Sequence, residues 1–314
     1  MLLPPARTIT MTRRQALFTG AALPIAAGLA ALPGMLRAQE MAVAALPTHR
    51  DFALGQMRVT TLLAGSRAVP DPQTIFGTNV PAAEFAEVSA ANFIPADVAQ
   101  FFFTPTVVNT GSEVILFDTG LDAGGITAAL GAAGYAPEDI THVVLTHMHG
   151  DHIGGLSDEA GNVTFANAAY IAGQTEYDHW AGQANEGFDA KVRPLADRMS
   201  FIGDGGAVTS GITGMDAPGH TPGHMAFMLE SGGAQMLLMA DAANHYVWSL
   251  AYPDWEVSFD ADKAAAAATR RMLLGMAATD RIPLIGYHMP FPAAGYVEAR
   301  GEGFHYVPVS YQFM

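Results

Sequence analysis

The sequence contains no cysteine among its 314 residues. This absence excludes disulfide bonds, thiolate metal ligands and a cysteine nucleophile, and it leaves histidine and carboxylate side chains to hold any metal ion. Hydrophobic residues make up 50% of the chain, which is ample for a sizeable core and excludes a disordered protein. The length fits one large α/β domain or two small ones.

Basic residues are scarce as well, with 15 Lys and Arg against 30 Asp and Glu. Four of the arginines lie in residues 1–38, where there is no acid, so the rest of the chain carries 11 basic and 30 acidic residues, a charge of −19. Such a surface repels nucleic acid and anionic lipid, and no basic cluster offsets it. We therefore expect a small neutral substrate as the partner, and no nucleic acid.

The first forty residues resemble a twin-arginine export signal. Residues 12–18 read TRRQALF, and an apolar run follows as far as Leu36. Glycines and prolines in this run weaken it as a membrane-spanning helix, although its length allows a span, and a retained anchor is the alternative. The resemblance implies a signal peptide over 1–38, one domain over 39–314, and a periplasmic protein with no stable membrane association after cleavage.

One stretch concentrates side chains that bind metals. Residues 141–145 form a short apolar and β-branched run, which predicts a buried strand, and His147, His149, Asp151 and His152 follow directly. Sites in α/β proteins usually lie at the carboxyl ends of strands, and an extended chain points His147 and His149 to the same side. Imidazole and carboxylate are ordinary ligands of zinc and its neighbours, so four of them within six residues predict a metal site.

Further candidates follow other predicted strands. Asp241 ends the apolar strand 235–240, where an acid is costly to bury without a cation or hydrogen-bond donors. His288 lies just beyond the predicted strand 282–286. A second histidine-rich segment, residues 219–224, reads GHTPGH.

The pattern His-x-His-x-Asp-His after a strand resembles the signature of the metallo-β-lactamase superfamily, and GHTPGH resembles the third metal element of that family. The resemblance implies an α+β fold, a four-layer αβ/βα sandwich. It also implies two divalent metal ions, with zinc as the first expectation and manganese, cobalt or iron as alternatives. The implied ligands are His147, His149 and His220 for one ion, Asp151, His152 and His288 for the other, and Asp241 as a bridge.

The resemblance also implies supporting residues around the ligands. Asp118, at the end of the predicted strand 113–117, would orient a ligand imidazole in the metal-binding loop, and a simple turn aspartate is the alternative. His224 would lie behind the ligands or pack at the start of a strand. Three aromatic residues belong to segments where we expect the wall of the substrate pocket: Phe101, Trp180 and Phe291.

We expect a hydrolase in which a metal-bridging hydroxide attacks a carbonyl carbon or phosphorus atom, with Asp151 and Asp241 as the catalytic carboxylates. The ligand set and the export signal resemble most the methyl parathion hydrolase and lactonase branch, which implies neutral esters, lactones or organophosphate triesters as substrates. Asn244 occupies a position where the lactonases often carry a tyrosine. The alternatives are a β-lactam hydrolase, a glyoxalase II-like thioester hydrolase and a non-catalytic exported metal-binding protein, and a homodimer is left open.

Local patterns predict the course of the chain around these motifs. Residues 41–55 are expected to be irregular and residues 67–81 to form a long loop. Apolar runs predict strands at 57–63 and 106–109, among others. The clearest predicted helix covers 262–278, with an aspartate in its first turn.

Overall fold

The computed structural model describes residues 47–312. The predicted signal peptide, residues 1–38, lies outside the described residues, and so does the start of the predicted domain. Within 47–312, no helix is both long enough and apolar enough to cross a membrane.

Residues 47–312 form six α-helices and sixteen β-strands, together with short 3₁₀ turns. The helices are α1 (Ala82–Ala91), α2 (Ala123–Ala132), α3 (Gly150–Ile153), α4 (Gln174–Ala181), α5 (Glu186–Lys191) and α6 (Lys263–Asp280). The first nine strands are β1 (His49–Leu54), β2 (Met57–Leu62), β3 (Gly65–Pro70), β4 (Val98–Phe103), β5 (Thr106–Asn109), β6 (Val114–Phe117), β7 (His142–Leu145), β8 (Ala169–Gly173) and β9 (Met199–Ile202). The others are β10 (Ala207–Thr209), β11 (Ile212–Asp216), β12 (Met225–Ser231), β13 (Ala234–Ala240), β14 (Leu284–Gly286), β15 (Ala294–Arg300) and β16 (Gly303–Pro308).

The first large sheet has the strand order β1-β2-β5-β6-β7-β8-β9. Strands β6 to β9 run parallel to one another. Strands β5, β2 and β1 follow on the other side of β6, each antiparallel to its neighbour. The parallel strands are covered on both faces, which is why β7 carries three consecutive buried apolar residues before the metal-binding motif.

The second large sheet has the order β10-β11-β12-β13-β14-β15-β16. Strands β12 and β13 form a hairpin whose turn contains Gly232 and Gly233, and both glycines have positive φ. Strands β13 and β14 are parallel, and α6 lies in the connection between them. The carboxyl ends of these two adjacent strands therefore lie at the same edge of the sheet.

The hydrophobic core lies in layers between and outside the two sheets. The inner faces meet through contacts such as Phe117 of β6 against Phe227 of β12, with ring centroids 5.0 Å apart. Leu273 and Leu274 of α6 extend this core behind the second sheet, while α2 and α5 cover the outer face of the first. Each such buried side chain contributes about 1.5–3 kcal/mol relative to an exposed one. The order helix, sheet, sheet, helix confirms the predicted four-layer α+β sandwich.

Strands β3 and β4 form a separate two-stranded sheet. The predicted loop over 67–81 is wrong for its first residues, because 67–70 belong to β3 and pair with β4 about thirty residues downstream. Since side chains alternate along a strand, Arg67 and its cross-strand partner Phe101 share one face of this hairpin, while Phe102 lies on the other.

Of two further local predictions, one is partly wrong and the other is confirmed. The irregular leader expected over 41–55 is wrong for 49–54, which form β1 because pairing with β2 buries Phe52 and Leu54. The predicted helix over 262–278 is confirmed as α6, and its N-cap Asp262 accepts a hydrogen bond from the Ala265 amide.

Candidate metal centre

The structure brings all seven predicted ligands together at one edge of the sandwich. The end of β7 and the short helix α3 deliver the first four, and close packing behind α3 depends on glycine, because a Cβ at Gly155 would lie 2.2 Å from the Thr119 carbonyl oxygen. The other three come from separate points of the second sheet. These are His220 from the loop between β11 and β12, Asp241 directly after β13 and His288 directly after β14.

Three imidazoles converge in the first part of the cluster. His149 Nδ1 lies 3.1 Å from His147 Nε2 and 3.0 Å from His220 Nε2. His147 and His220 are buried, and His149 is partly exposed towards a cavity. These three nitrogens therefore have the spacing to hold one cation.

Asp241 links this trio to the second group of ligands. Its carboxylate oxygens lie 3.4 Å from His220 Nε2, 3.4 Å from His152 Nε2 and 3.2 Å from His288 Nε2. His288 Nε2 is also 3.3 Å from an oxygen of Asp151. Of the two predicted carboxylate ligands, only Asp241 contacts histidines of both groups.

The hydrogen bonds on the far sides of the rings show that the first trio is arranged for a cation. Thr146 Oγ1 donates to Asp118 and therefore accepts from His147 Nδ1, so that His147 Nε2 carries a lone pair. His220 Nδ1 donates to Asp260, which leaves a lone pair on His220 Nε2 as well. His149 Nδ1 can donate a hydrogen bond to only one of these two Nε2 atoms. A metal ion satisfies all three nitrogens at once.

The hydrogen bonds of the second group, Asp151, His152 and His288, also indicate a cation. His152 Nδ1 donates to Asp118 Oδ2 at 2.8 Å, and His288 Nδ1 donates to the Phe102 carbonyl oxygen at 2.8 Å, so both Nε2 lone pairs face carboxylate oxygens. His152 Nε2 and Asp241 Oδ1 are buried and have no hydrogen-bond partner among the described residues. Lone pairs and carboxylates that face each other at such distances require a proton or a cation between them.

The pKa values follow from the same distribution of charge. Burial, reinforced by the neighbouring imidazoles, lowers the pKa of His149 to about 4 and holds the pKa of His147 well below its usual range. Burial also opposes the charged form of His288, but the carboxylates of Asp241 and Asp151 outweigh it and raise the pKa of His288 to about 10. His147 and His149 are therefore neutral and ready to coordinate, and the second group attracts positive charge.

Asp118 lies where the resemblance placed it. Besides accepting from His152, its carboxylate accepts from the backbone amide and the hydroxyl of Thr146, each at 2.9 Å. Asp118 is buried and has a left-handed φ of 60°, a conformation that costs free energy in a residue other than glycine. The carboxylate thus fixes the tautomer of one ligand and the backbone next to another, which a simple turn aspartate would not do.

His224 lies behind Asp241. Its Nδ1 donates to the Ala217 carbonyl oxygen at 3.0 Å, and its Nε2 accepts from the Asp241 amide at 3.1 Å. Burial lowers the pKa of His224 to about 3, so the ring is neutral. Asn244 donates to Asp241 Oδ2 at 2.9 Å and holds the carboxylate from the other side.

Two supporting carboxylates were missed in the sequence. Asp260 accepts from His220 Nδ1 at 3.1 Å and pairs at 2.8 Å with Arg270 of α6, and both side chains are buried. The Arg270 guanidinium also donates to the carbonyl oxygens of Pro253 and Trp255. Asp260 and Arg270 are ten residues apart and forty or more from His220, so no local pattern connects them.

The second missed carboxylate is Glu176, which is fully buried in α4. One of its oxygens accepts from the Met148 amide at 2.9 Å and from the Trp180 indole at 2.6 Å. The other accepts from the Thr221 hydroxyl at 2.7 Å and from the Gly223 amide at 3.1 Å. A Cβ at Gly223 would lie 2.1 Å from the Glu176 amide nitrogen, so only glycine allows this approach. Glu176 thus joins the two loops that carry the first histidine trio.

A cavity of about 440 Å³ opens onto the ligand cluster. His149, Asp151 and Asp241 are among its polar walls, and Arg67 is the one lysine or arginine among the described residues that line it. The apolar walls are Val69, Ile75, Phe101, Phe103, Leu121 and Phe259.

Of the three predicted pocket aromatics, only Phe101 lines this cavity. Trp180 was wrong as a wall residue, because its indole turns to Glu176 and packs in the outer core, and only its edge approaches His149 at 5.7 Å between ring centroids. Phe291 was wrong because it lies in the turn closed by the hydrogen bond from the Ala293 amide to the Pro290 carbonyl oxygen, which leads the chain away into β15. Phe103 and Phe259 form the aromatic wall with Phe101 instead.

Known proteins are similar to this chain in sequence over part of its length and in fold over most of it. An N-acyl homoserine lactonase of a Bacillus species is 32% identical over 119 residues, which cover 38% of this chain and 44% of the lactonase. An atrochrysone carboxyl ACP thioesterase of Aspergillus fumigatus is 30% identical over 132 residues, 41% of this chain and 27% of the thioesterase. The chain thus spans less than half the length of these curated relatives.

Solved structures match over a larger share of the chain. AidC, a dizinc quorum-quenching lactonase in complex with a product, has a TM-score of 0.78 and 25% identity, and the match covers 84% of this chain and 98% of AidC. The hydrolase AbOPH, also with a TM-score of 0.78, is 23% identical over 85% of this chain and 99% of its own, and it shows the fold alone. The family model of the metallo-beta-lactamase superfamily matches residues 104–283, more than half of the sequence. The chain therefore belongs to the metallo-β-lactamase superfamily.

Proposed function

We propose that this protein is a dinuclear metal-dependent hydrolase that cleaves small neutral esters, with lactones as the first candidates and organophosphate triesters next. One observation carries the proposal: seven ligand side chains converge, and five of them form the polar end of a cavity whose other walls are almost entirely apolar. The lactonase relatives support the choice of lactones.

The residues present fit two divalent cations, with zinc as the proposed metal. His147, His149 and His220 would hold one cation, Asp151, His152 and His288 the other, and Asp241 would bind both. Cations bound there would activate a water molecule as nucleophile at neutral pH and stabilise negative charge on the attacked carbonyl oxygen.

The chain itself positions the substrate and handles the protons. Phe101, Phe103 and Phe259 bind the apolar part of the substrate and exclude water from the carbonyl group. The Asp151 side chain is 24% exposed and borders the cavity, whereas Asp241 is almost fully buried. Asp151 is therefore the carboxylate that can accept a proton from the attacking water and return it to the alcohol that leaves.

The fixed position of Asp151 supports this role. The Tyr287 hydroxyl donates to the Asp151 carbonyl oxygen at 2.5 Å, and the Tyr287 ring packs on His152 with centroids 3.9 Å apart. Tyr287 is buried, so the backbone that carries Asp151 is held in place from beneath.

The charge of the cavity favours neutral substrates. Asp151 and Asp241 offset much of the positive charge that two cations bring, and the mature chain carries a large net negative charge. Arg67 is a single exposed cation at the wall, too little to attract a polyanion.

A thioester is a further candidate substrate, because the thioesterase of Aspergillus fumigatus is 30% identical over the matched region. A thioester carbonyl is also neutral and electrophilic, so the same site chemistry applies. A thioester differs from a lactone in the leaving group, and only a comparison of turnover distinguishes the two substrates.

The test is a hydrolysis panel on metal-loaded protein. It compares kcat/KM for an alkyl-substituted γ-lactone, a paraoxon-type triester, a thioester, a cephalosporin and a phosphodiester with the same leaving group as the triester. We expect the lactone or another neutral ester to give the highest value, and Asp151→Asn to lower it by at least about 100-fold, within the range typical of a lost proton-transfer group. Equal turnover of the anionic diester, or no turnover by protein with both metals bound, would overturn the proposal.

A further inference from the structure

A second cavity, of about 310 Å³, lies on the other side of strand β4 from the metal cavity. The alternation of β4 separates the two: Phe101 and Phe103 face the metal cavity, and Val98 and Phe102 face the second one. His288 is the one side chain among the described residues that borders both. The apolar walls of the second cavity include Ile94, Val98, Phe102, Tyr246, Trp248 and Pro290.

His245 supplies the main polar group of this cavity, and it is only 8% exposed. Its Nδ1 accepts hydrogen bonds from the backbone amides of Val247 and Trp248, each at 3.1 Å. A ring nitrogen that accepts from two amides carries a lone pair, so the ring is neutral and its hydrogen is on Nε2. Burial lowers the pKa of His245 to about 3, which keeps the ring neutral at any ordinary pH.

The ring is also held in one orientation. It stacks on Trp248 with centroids 4.1 Å apart and an angle of 15° between the planes, and Tyr246 stacks on it at 4.8 Å. Trp248 is itself anchored, because its indole donates to Ser89 of α1 at 3.0 Å. The position of the Nε2–H group is therefore set by the fold and not by a flexible side chain.

No described residue accepts a hydrogen bond from His245 Nε2. The ring borders the cavity, and with Nδ1 held by the backbone, the Nε2–H group is the polar atom that the ring can offer to an occupant. A fixed donor that no described residue accepts from, in a wall that is otherwise mostly apolar, indicates a place for an oxygen atom.

The other walls define the rest of the occupant. No Lys, Arg, Asp or Glu is among the described residues that line the cavity, and Gln100 is the other uncharged polar side chain there. Both ring nitrogens of His288 already have partners, Nδ1 the Phe102 carbonyl oxygen and Nε2 the carboxylates of Asp151 and Asp241, so an anion would lack a free countercharge. An ammonium group would meet the Nε2–H donor of His245. We propose that this cavity is a binding site, separate from the metal centre, for a small uncharged molecule with an apolar body and a carbonyl oxygen that accepts from His245 Nε2.

The test measures binding of 2-heptanone to the metal-loaded protein by calorimetry and by ligand-observed saturation-transfer NMR. The control probe is 2-heptylammonium, which has the same carbon skeleton but a charged donor in place of the carbonyl group. We expect saturable binding of the ketone at one site per chain and at least tenfold weaker binding of the ammonium ion.

Three variants locate the site. His245→Asn keeps an acceptor near the position of Nδ1 but lacks the Nε2–H group, and it should weaken ketone binding about tenfold, the equivalent of about 1.4 kcal/mol. Val98→Trp fills the second cavity from a residue that is 37% exposed, so the fold should tolerate it, and it should abolish binding. Leu121→Trp obstructs the metal cavity instead and should leave ketone binding unchanged.

Each outcome is decisive. Loss of binding in Val98→Trp, with binding kept in Leu121→Trp, supports the proposal even if His245→Asn does not fold. Loss in Leu121→Trp alone would place the ketone in the metal cavity and overturn the proposal. Absence of saturable binding up to the solubility of the ketone, or equal binding of the ammonium ion, would overturn it as well, and neither result bears on hydrolysis at the metal centre.

Discussion

Replacement of Glu176 by glutamine should loosen the first histidine trio. Glu176 is fully buried, and its two oxygens accept four hydrogen bonds, from Met148, Trp180, Thr221 and Gly223. The amide group of Glu176→Gln keeps one oxygen, and its NH₂ group must face two of the four donors. The Thr221 hydroxyl can rotate and accept from the NH₂ group, so the free-energy cost is lowest when the NH₂ group faces Thr221 and Gly223. The Gly223 amide is then left without an acceptor.

The magnitude follows from the bonds that are lost. A hydrogen bond to a charged group contributes about 1.5–3 kcal/mol, and an orphaned buried donor costs about 1–3 kcal/mol. The removal of a buried charge offsets part of this loss. We therefore expect Glu176→Gln to lower the free energy of unfolding by about 3 kcal/mol. Since the carboxylate joins the loops of His149 and His220, we also expect metal affinity to fall about 10–100-fold, the range for residues that support metal ligands.

Urea unfolding with and without chelator, together with competition titration of zinc, measures both effects. Glu138→Gln is the matched control, because it makes the same charge change at an exposed position and should stay within about 0.5 kcal/mol of the wild type. Trp180→Phe removes one donor while keeping the carboxylate, and it should cost less than Glu176→Gln in both measurements. Wild-type stability and wild-type zinc affinity in Glu176→Gln would refute the role assigned to this carboxylate.

Three further predictions concern the metals, the route of export and the charge of the substrate. Asp241→Asn should lose one metal equivalent and most of its activity, because Asp241 contacts histidines of both groups, and full occupancy with full turnover would contradict its role as the bridge. Replacement of Arg13 and Arg14 by lysines should retain the protein in the cytoplasm without changing its activity in vitro, whereas unchanged delivery to the periplasm in cell fractionation would point to another route. Arg67→Gln should change kcat/KM for a neutral lactone by less than about threefold, because an exposed charge in water contributes little, and a loss of tenfold or more would show that the substrate carries a group that Arg67 binds.

The convergence of the seven proposed metal ligands could be predicted from the sequence, because each lies in or next to a strong local signal. His147, Asp241 and His288 directly follow, or lie within two residues of, buried apolar strands, and the ends of such strands meet at one edge. The structure places all seven at that edge. The twin-arginine segment belongs to residues outside the described range, so export stays a prediction.

The residues that were missed have partners far away in the chain. Three of the four donors to Glu176 lie 28 to 47 positions away, and Asp260 accepts from His220 at a distance of 40 residues. The composition of β3, which includes a proline, is typical of a loop, and its partner β4 lies about thirty residues downstream, so no local pattern predicts this strand. The wall of the cavity depends on this hairpin, which is why Phe103 and Arg67 could not be predicted from the sequence and why Trp180 and Phe291 were assigned there wrongly.

The most direct test of a dinuclear centre is the metal content of the purified protein. Protein prepared without chelators and then dialysed against trace zinc should contain two metal equivalents per chain by elemental analysis, and His288→Ala should lower that number to about one while the His147, His149 and His220 site stays filled. A reproducible ceiling of one equivalent in the wild type, even after addition of zinc, manganese, cobalt or iron, would contradict the two-cation centre.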